Sequence, residues 1–260
     1  MCLIAFAWNA HPRYPLILVA NRDEFHARPT APLAPWVDAP DVIGGRDLQE
    51  GGGWLALNRA RPRLAAVTNV REPTVIPAPR SRGALVRDYL TGDDCAVSFA
   101  ELIRVEGNDY GPFNLLLWDG EDLIYATNRL KPRWETVPSG VYGLSNGGFD
   151  APWPKACRLT AALRSWISGV DAVGETEPDF EPLFAALADD AIAADAELPN
   201  TGVGIEMERR LSPPFIRGSA YGTRASSVVL IDQGGHAVFV ERSFGPDGTL
   251  GETRSVKNLH

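Results

Sequence analysis

Residues Cys2 to Trp8 present two apolar faces, with Cys2, Ile4, Phe6 and Trp8 on one side and Leu3, Ala5 and Ala7 on the other. A strand with this pattern has no face to give to water, so it must lie buried between two layers. Leu16-Ile17-Leu18-Val19-Ala20 repeats the condition after a turn through His11-Pro12-Arg13. This second strand then ends in four polar residues, Asn21-Arg22-Asp23-Glu24. The core of the fold must therefore be built around a doubly covered pair of strands whose far end carries charge.

The rest of the chain supplies the cover. The Pro-rich stretch from Arg28 to Pro40 predicts an ordered, irregular loop. Gly51-Gly52-Gly53 precedes a strand at Trp54 to Leu57, and Leu64 to Val67 completes a hairpin that runs into Thr68-Asn69. Gly83 to Leu90 and Ala96 to Ile103 have helical character. Phe113 to Trp118 and Leu123 to Ala126 are strands joined at Asp119-Gly120, a hairpin turn signal. Val141 to Leu144 is a short strand ending at Ser145-Asn146-Gly147. From Pro154 the spacing of Ala156, Leu159, Leu163, Trp166 and Ile167 is helical, and Pro182 to Ala194 predicts another helix. Pro199 to Gly222 is expected as a long loop, followed by two last strands at Ser226 to Ile231 and Ala237 to Glu241. Runs of strands alternating with runs of helices indicate an α+β fold, with mainly antiparallel sheets covered by helices.

Composition excludes several function classes. At 260 residues, 45% hydrophobic and 22% charged, the chain has an ordinary globular balance. The net charge of −8 and the scattered arginines argue against a nucleic-acid partner. No apolar run is long enough for a membrane span. The N-terminus lacks the basic region of a signal peptide, so the expected location is the cytoplasm. The three cysteines stand far apart and the four histidines have no ligand spacing, so neither a disulfide framework nor a metal site is expected, and no cofactor is called for.

Cys2 draws the most chemical interest. Initiator methionine before a small side chain is commonly removed, which would leave cysteine at the N-terminus. A thiol of pKa about 8.5 would then share a residue with an amine of about 7.7–8.0, giving a nucleophile with a built-in base. An unpaired cysteine at a strand start equally suits plain burial. Arg22 is placed to lower a thiol pKa and Asp23 to orient an N-terminal ammonium; a surface ion pair at the strand end would account for the same residues. Asn69 and Asn146 each follow a short strand and carry amides suited to an oxyanion, although Asn146-Gly147 also has turn chemistry. Arg224 precedes a late strand and suits a carboxylate.

Taken in order, Met1-Cys2-Leu3-Ile4, Leu18-Val19-Ala20-Asn21-Arg22-Asp23-Glu24-Phe25 with Arg28-Pro29, Gly52-Gly53-Trp54-Leu55, Ala65-Ala66-Val67-Thr68-Asn69, Tyr142-Gly143-Leu144-Ser145-Asn146, Tyr221-Gly222-Thr223-Arg224 and Glu241-Arg242-Ser243-Phe244 resemble the NRDE family, also called the Transport and Golgi organisation protein 2 family. The match spans nearly the whole chain, so residues 1–260 are expected to form a single domain of that family. A more distant similarity is to N-terminal nucleophile hydrolases of the choloylglycine hydrolase and penicillin V acylase type. It implies a four-layer αββα sandwich and a thiol nucleophile. By this resemblance Cys2 is the nucleophile, Arg22 and Asp23 position it, and Asn69 and Asn146 form the oxyanion hole. Asn21, Glu24 and Arg224 are assigned to substrate binding. The acylases place their Asp three residues after the Arg, whereas Asp23 follows Arg22 directly.

Two functions follow as expectations. One is a hydrolase or acylase acting on an amide or thioester of a small acyl substrate through Cys2. The other is a non-catalytic carrier of a hydrophobic ligand, in keeping with roles in haem or lipid trafficking that the family resemblance brings, with Cys2 or a histidine as an iron ligand, although the sequence offers no CxxCH and no clear axial histidine. A hydrolase fold whose pocket serves only as an interaction scaffold is the plainest alternative.

Overall fold

A computed structural model describes residues 2–74, 77–170 and 178–259. Removal of Met1, expected above, concerns a residue outside this range. The first strand, β1 (Cys2–Trp8), lies between β10 (Gly140–Leu144) and β2 (Leu16–Phe25). The sheet continues through β11 (Tyr221–Ile231), β12 (Ala237–Phe244) and β13 (Leu250–Leu259), giving six strands in the order β10-β1-β2-β11-β12-β13. A second sheet of seven strands runs in chain order: β3 (Thr30–Trp36), β4 (Ala39–Asp47), β5 (Gly53–Asn58), β6 (Arg63–Asn69), β7 (Phe113–Trp118), β8 (Leu123–Thr127) and β9 (Arg133–Thr136). Among the described residues, every strand pairing within the two sheets is antiparallel.

The two faces of β1 go where the alternation sends them. Ile4, Phe6 and Trp8 join Leu16 and Leu18 in a core between the sheets, against Leu55, Leu57, Leu64 and Leu116. Leu3, Ala5 and Ala7 face the other way, with Ile17 and Val19, onto α3 (Pro154–Gly169) and α4 (Glu181–Leu187) through Leu159, Leu163, Leu183 and Phe184. A third core packs α1 (Arg82–Thr91) and α2 (Ala96–Glu106) on the seven-stranded sheet, where Leu85, Val86, Tyr89 and Phe99 meet Ala65, Val67, Leu115 and Leu117. The result is the αββα sandwich. Each fully buried leucine in it contributes about 1.5–3 kcal/mol relative to exposure.

Several local expectations are corrected. The stretch from Arg28 to Pro40 is not an irregular loop: it holds β3 and the start of β4, the edge hairpin of the larger sheet. An edge strand tolerates Pro32 and Pro35 because one side of its backbone needs no partner. Asn21 to Glu24 form the end of β2, where β11 continues to pair as far as Phe25. The helix from Pro182 stops at Leu187, where the freed Leu187 carbonyl accepts from the Asn21 side chain at 2.8 Å. Within the long loop expected at 199–222 sits a short α5 (Ile205–Arg210). The strands β9 and β13 carry no apolar alternation and were not expected; both lie at sheet edges. The Asp119-Gly120 turn does join β7 to β8, with Gly120 at φ +99°, and Asp119 caps the start of α2 through the Ala96 amide at 2.9 Å.

Candidate active site

The antiparallel register of β1 and β2 sets Cys2 opposite Arg22. Across β2, Asp23 lies opposite Thr223 and Arg22 opposite Ala225, with a register shift between Thr223 and Ala225. The irregularity falls where the apolar part of β2 gives way to the polar part, and bulges recur beside functional sites because they re-aim side chains. Cys2, Arg22, Asp23, Glu24 and Asn69 all line one cavity of about 350 Å³. Thr68, Trp54, Arg28 and the start of α1 at Ser81, Arg82 and Gly83 complete its wall. The close approach of α1 depends on Gly52: a Cβ there would stand 2.3 Å from the Gly83 carbonyl carbon.

Charges around the cavity are arranged in pairs. Glu24 stands 3.9 Å from Arg22 and 4.0 Å from Arg28, and Arg28 also bonds Asp47 through Nε at 3.0 Å. Arg22 donates to the Thr30 hydroxyl at 3.3 Å. Burial pushes the Cys2 thiol up, and Asp23 adds to this while Arg22 opposes it. A thiol shifted in this direction is a poor nucleophile unless a base lies beside it. Asp23 is buried and accepts from the Thr223 hydroxyl at 2.7 Å. Burial raises its carboxyl, and Lys155 and Arg71 pull it back down. Arg71 itself forms a buried ion pair with Glu208 of α5.

The segment after β10 is tied to both sheets. Ser145 donates to the Cys2 carbonyl at 3.2 Å. Thr68 donates to the Ser145 carbonyl at 2.6 Å, and the Asn114 amide donates to the Gly147 carbonyl at 2.9 Å while accepting from the Tyr125 hydroxyl at 2.7 Å. This holds Asn146 fully buried, with Nδ2 donating to the Asn69 carbonyl and to Asn69 Oδ1, both at 3.0 Å. Asn69 thus reaches the cavity directly, and Asn146 stands behind it.

Two residues expected at the site are placed elsewhere. Asn21 is wholly buried on the helix side, donating to the carbonyls of Leu187 and Pro214 and accepting from Ser226. Arg224 spends its Nη1 on the carbonyls of Phe25, His26 and Arg28, pinning the turn after β2, and does not line the Cys2 cavity. His26 does not line it either; its ring contacts the Gly218 carbonyl at 3.1 Å. Among the described residues, no group of three His, Cys, Asp or Glu side chains is placed to hold a metal ion. No helix among them is long and apolar enough to cross a membrane.

The sequence reading missed Thr223, Arg82 and Lys155. Arg82 leans into the cavity from α1 and donates to the Pro112 carbonyl at 3.4 Å. Lys155, 1% exposed, sits in the first turn of α3 with Nζ 3.5 Å from Asn146 Oδ1. A signal for it existed: Lys155 lies four residues before Leu159 and eight before Leu163, on the apolar stripe of the helix.

Fold and site together define an αββα sandwich whose first strand carries a buried cysteine facing a charged cavity. The chain belongs to the Transport and Golgi organisation 2 family, whose model matches residues 1–246. It is similar to the Transport and Golgi organization protein 2 homologs of Bos taurus, 34% identical with 97% of each chain covered, and of Homo sapiens, 33% identical over 99% of this chain and 98% of the relative. The Drosophila melanogaster Transport and Golgi organization protein 2 is 30% identical over 100% of this chain and 99% of its own length.

Proposed function

We infer that the chain is an N-terminal cysteine hydrolase that cleaves an amide or thioester of a small acyl substrate. The observation that carries this reading is the convergence of Cys2, Arg22, Asp23 and Asn69 on one cavity of about 350 Å³. After loss of Met1, the Cys2 sulfur attacks the acyl carbonyl carbon, and its proton passes to the α-amine of the same residue. The thiolate, not the thiol, is the nucleophile, so the adjacent amine serves as its base. Asp23, oriented by Thr223, holds the resulting ammonium, and Arg22 steadies the developing negative charge on sulfur. The oxyanion is met by the Asn69 amide with Asn146 behind it. Collapse breaks the bond to the leaving amine or thiol, which takes the proton from the α-ammonium. Water then hydrolyses the thioester, releasing the acid and restoring the thiol. Glu24 and Arg28 stand where they can contact the part of the substrate outside the scissile bond.

The test is turnover of a panel of fluorogenic acyl amides and acyl thioesters by the mature protein and by Cys2→Ala. Hydrolysis lost in the variant, with the circular dichroism spectrum unchanged, is the expected result. Equal rates in both proteins would overturn the reading.

A further inference from the structure

The two ends of the Asn146 amide have different surroundings. Oδ1 faces the Lys155 ammonium at 3.5 Å and the Ser145 hydroxyl at 3.2 Å. Nδ2 faces the Asn69 carbonyl and Asn69 Oδ1. Asn69 Nδ2 donates one N–H to the Val70 carbonyl at 3.3 Å, and Asn69 lines the cavity beside Cys2. Donors and acceptors therefore run in one direction, from Lys155 through Asn146 to Asn69. Amides linked in this sense polarise one another, and a cation at the head strengthens every later donor.

Lys155 occupies an unusual place for a cation, near the buried Asp23 carboxyl whose charge it favours. It is 1% exposed and occupies the first turn of α3, where the helix N-terminus disfavours a cation. Among the described residues its ammonium closes no ion pair, and its contact with Asn146, at 3.5 Å, is a charge–dipole contact more than a hydrogen bond. Burying a cation on such terms is costly. The position that results is the one from which a positive charge acts on Asn146 Oδ1.

We propose that Lys155 is a positioning residue: it heads an amide relay that locks the orientation of Asn146 and polarises the Asn69 amide toward an oxyanion formed at Cys2. This rests on the hydrolase reading above. The charged or titratable groups that act on Lys155 electrostatically are Asp23 from β2, Cys2 from β1, Arg71 from the segment after β6 and Glu208 from α5. Burial draws its pKa down to about 8, against the opposing pull of Asp23. The relay is headed by a cation below that pH and by a neutral amine above it.

Two reactions at Cys2 separate the relay from the thiol itself. Acylation by p-nitrophenyl butyrate passes through an oxyanion; alkylation by iodoacetamide does not. Both consume the same thiolate, so the ratio of their rates removes its titration. Lys155→Met should lower this ratio about tenfold at pH 7, less than the loss of a whole oxyanion donor, and in the mature full-length protein the ratio should fall from pH 7 to 9 more steeply than in that variant, which shares the same α-amine. Lys155→Arg should recover part of the loss and keep the high ratio beyond pH 9. A folded Lys155→Met with the wild-type ratio at pH 7 would overturn the relay. Failure of p-nitrophenyl butyrate to acylate wild-type Cys2, while iodoacetamide alkylates it, would overturn the hydrolase reading and the relay together.

Discussion

Replacing Asn114 by leucine keeps the side chain's size and removes its polar atoms. In the wild type its amide is fully buried, donates to the Gly147 and Ser145 carbonyls at 2.9 and 3.2 Å, and accepts from the Tyr125 hydroxyl at 2.7 Å. The Ser145 carbonyl keeps Thr68 as a donor in the variant. The Gly147 carbonyl and the Tyr125 hydroxyl lose the partner described here. Each such loss in a buried site costs about 1–3 kcal/mol, so Asn114→Leu should destabilise the protein by about 2–6 kcal/mol. Urea denaturation followed by tryptophan fluorescence measures this, with the slope against urea unchanged. Tyr125→Phe supplies the internal control. It should cost about 1 kcal/mol less in the Asn114→Leu background than in the wild type, because the hydroxyl it removes has already lost its Asn114 acceptor. A loss below 0.5 kcal/mol for Asn114→Leu (roughly the scale of a neutral surface change), or strict additivity in the cycle, would refute the argument that Asn114 ties the Asn146 segment to the second sheet.

Three further outcomes follow from the same geometry. Glu208→Ala leaves Arg71 charged and buried without its carboxylate, and should cost about 3–5 kcal/mol in the same denaturation assay. Gly52→Ala drives a Cβ into the backbone of Gly83 at 2.3 Å; it should destabilise by about 1–3 kcal/mol and speed hydrogen exchange in the first turn of α1. Glu241 is buried, and burial raises its carboxyl pKa while the Leu33 amide, donating at 2.7 Å, lowers it. A carboxyl raised on folding holds its proton longer in the native state, so stability falls as pH rises from the unfolded value through the folded one. Glu241→Gln should therefore be more stable than wild type at pH 7.5 and no more stable at pH 4, as read from urea midpoints.

The sandwich was legible because its central strands leave so little choice. With Ile4, Phe6 and Trp8 on one face and Leu3, Ala5 and Ala7 on the other, β1 could only sit between a sheet and a helix layer, and it does. The edges were less legible. The strand β3 carries prolines and β9 is mostly exposed, so neither shows the alternation that burial imposes. At the site, Cys2, Arg22, Asp23 and Asn69 stood out as polar or reactive residues at the ends of apolar strands, and the structure brings them to one cavity. Asn21 and Arg224 stood out for the same reason, yet their side chains answer backbone carbonyls. Asn21 follows Ile17 and Val19 onto the helix face by strand alternation, and Arg224 is the extra residue at the shift between Thr223 and Ala225. Lys155 was hidden because a single lysine among apolar helix positions reads as a solvated side chain until the packing of α3 against β1 and β10 is known.

The central claim is that Cys2 becomes an N-terminal nucleophile. Intact-mass spectrometry of the purified protein, before and after exposure to a thiol-directed acylating probe, tests it most directly. The expected result is a mass lacking Met1 and one adduct, mapped to Cys2 and absent in Cys2→Ala, with the exposed Cys95 and Cys157 blocked beforehand. A protein that retains Met1 and leaves Cys2 unmodified would contradict it.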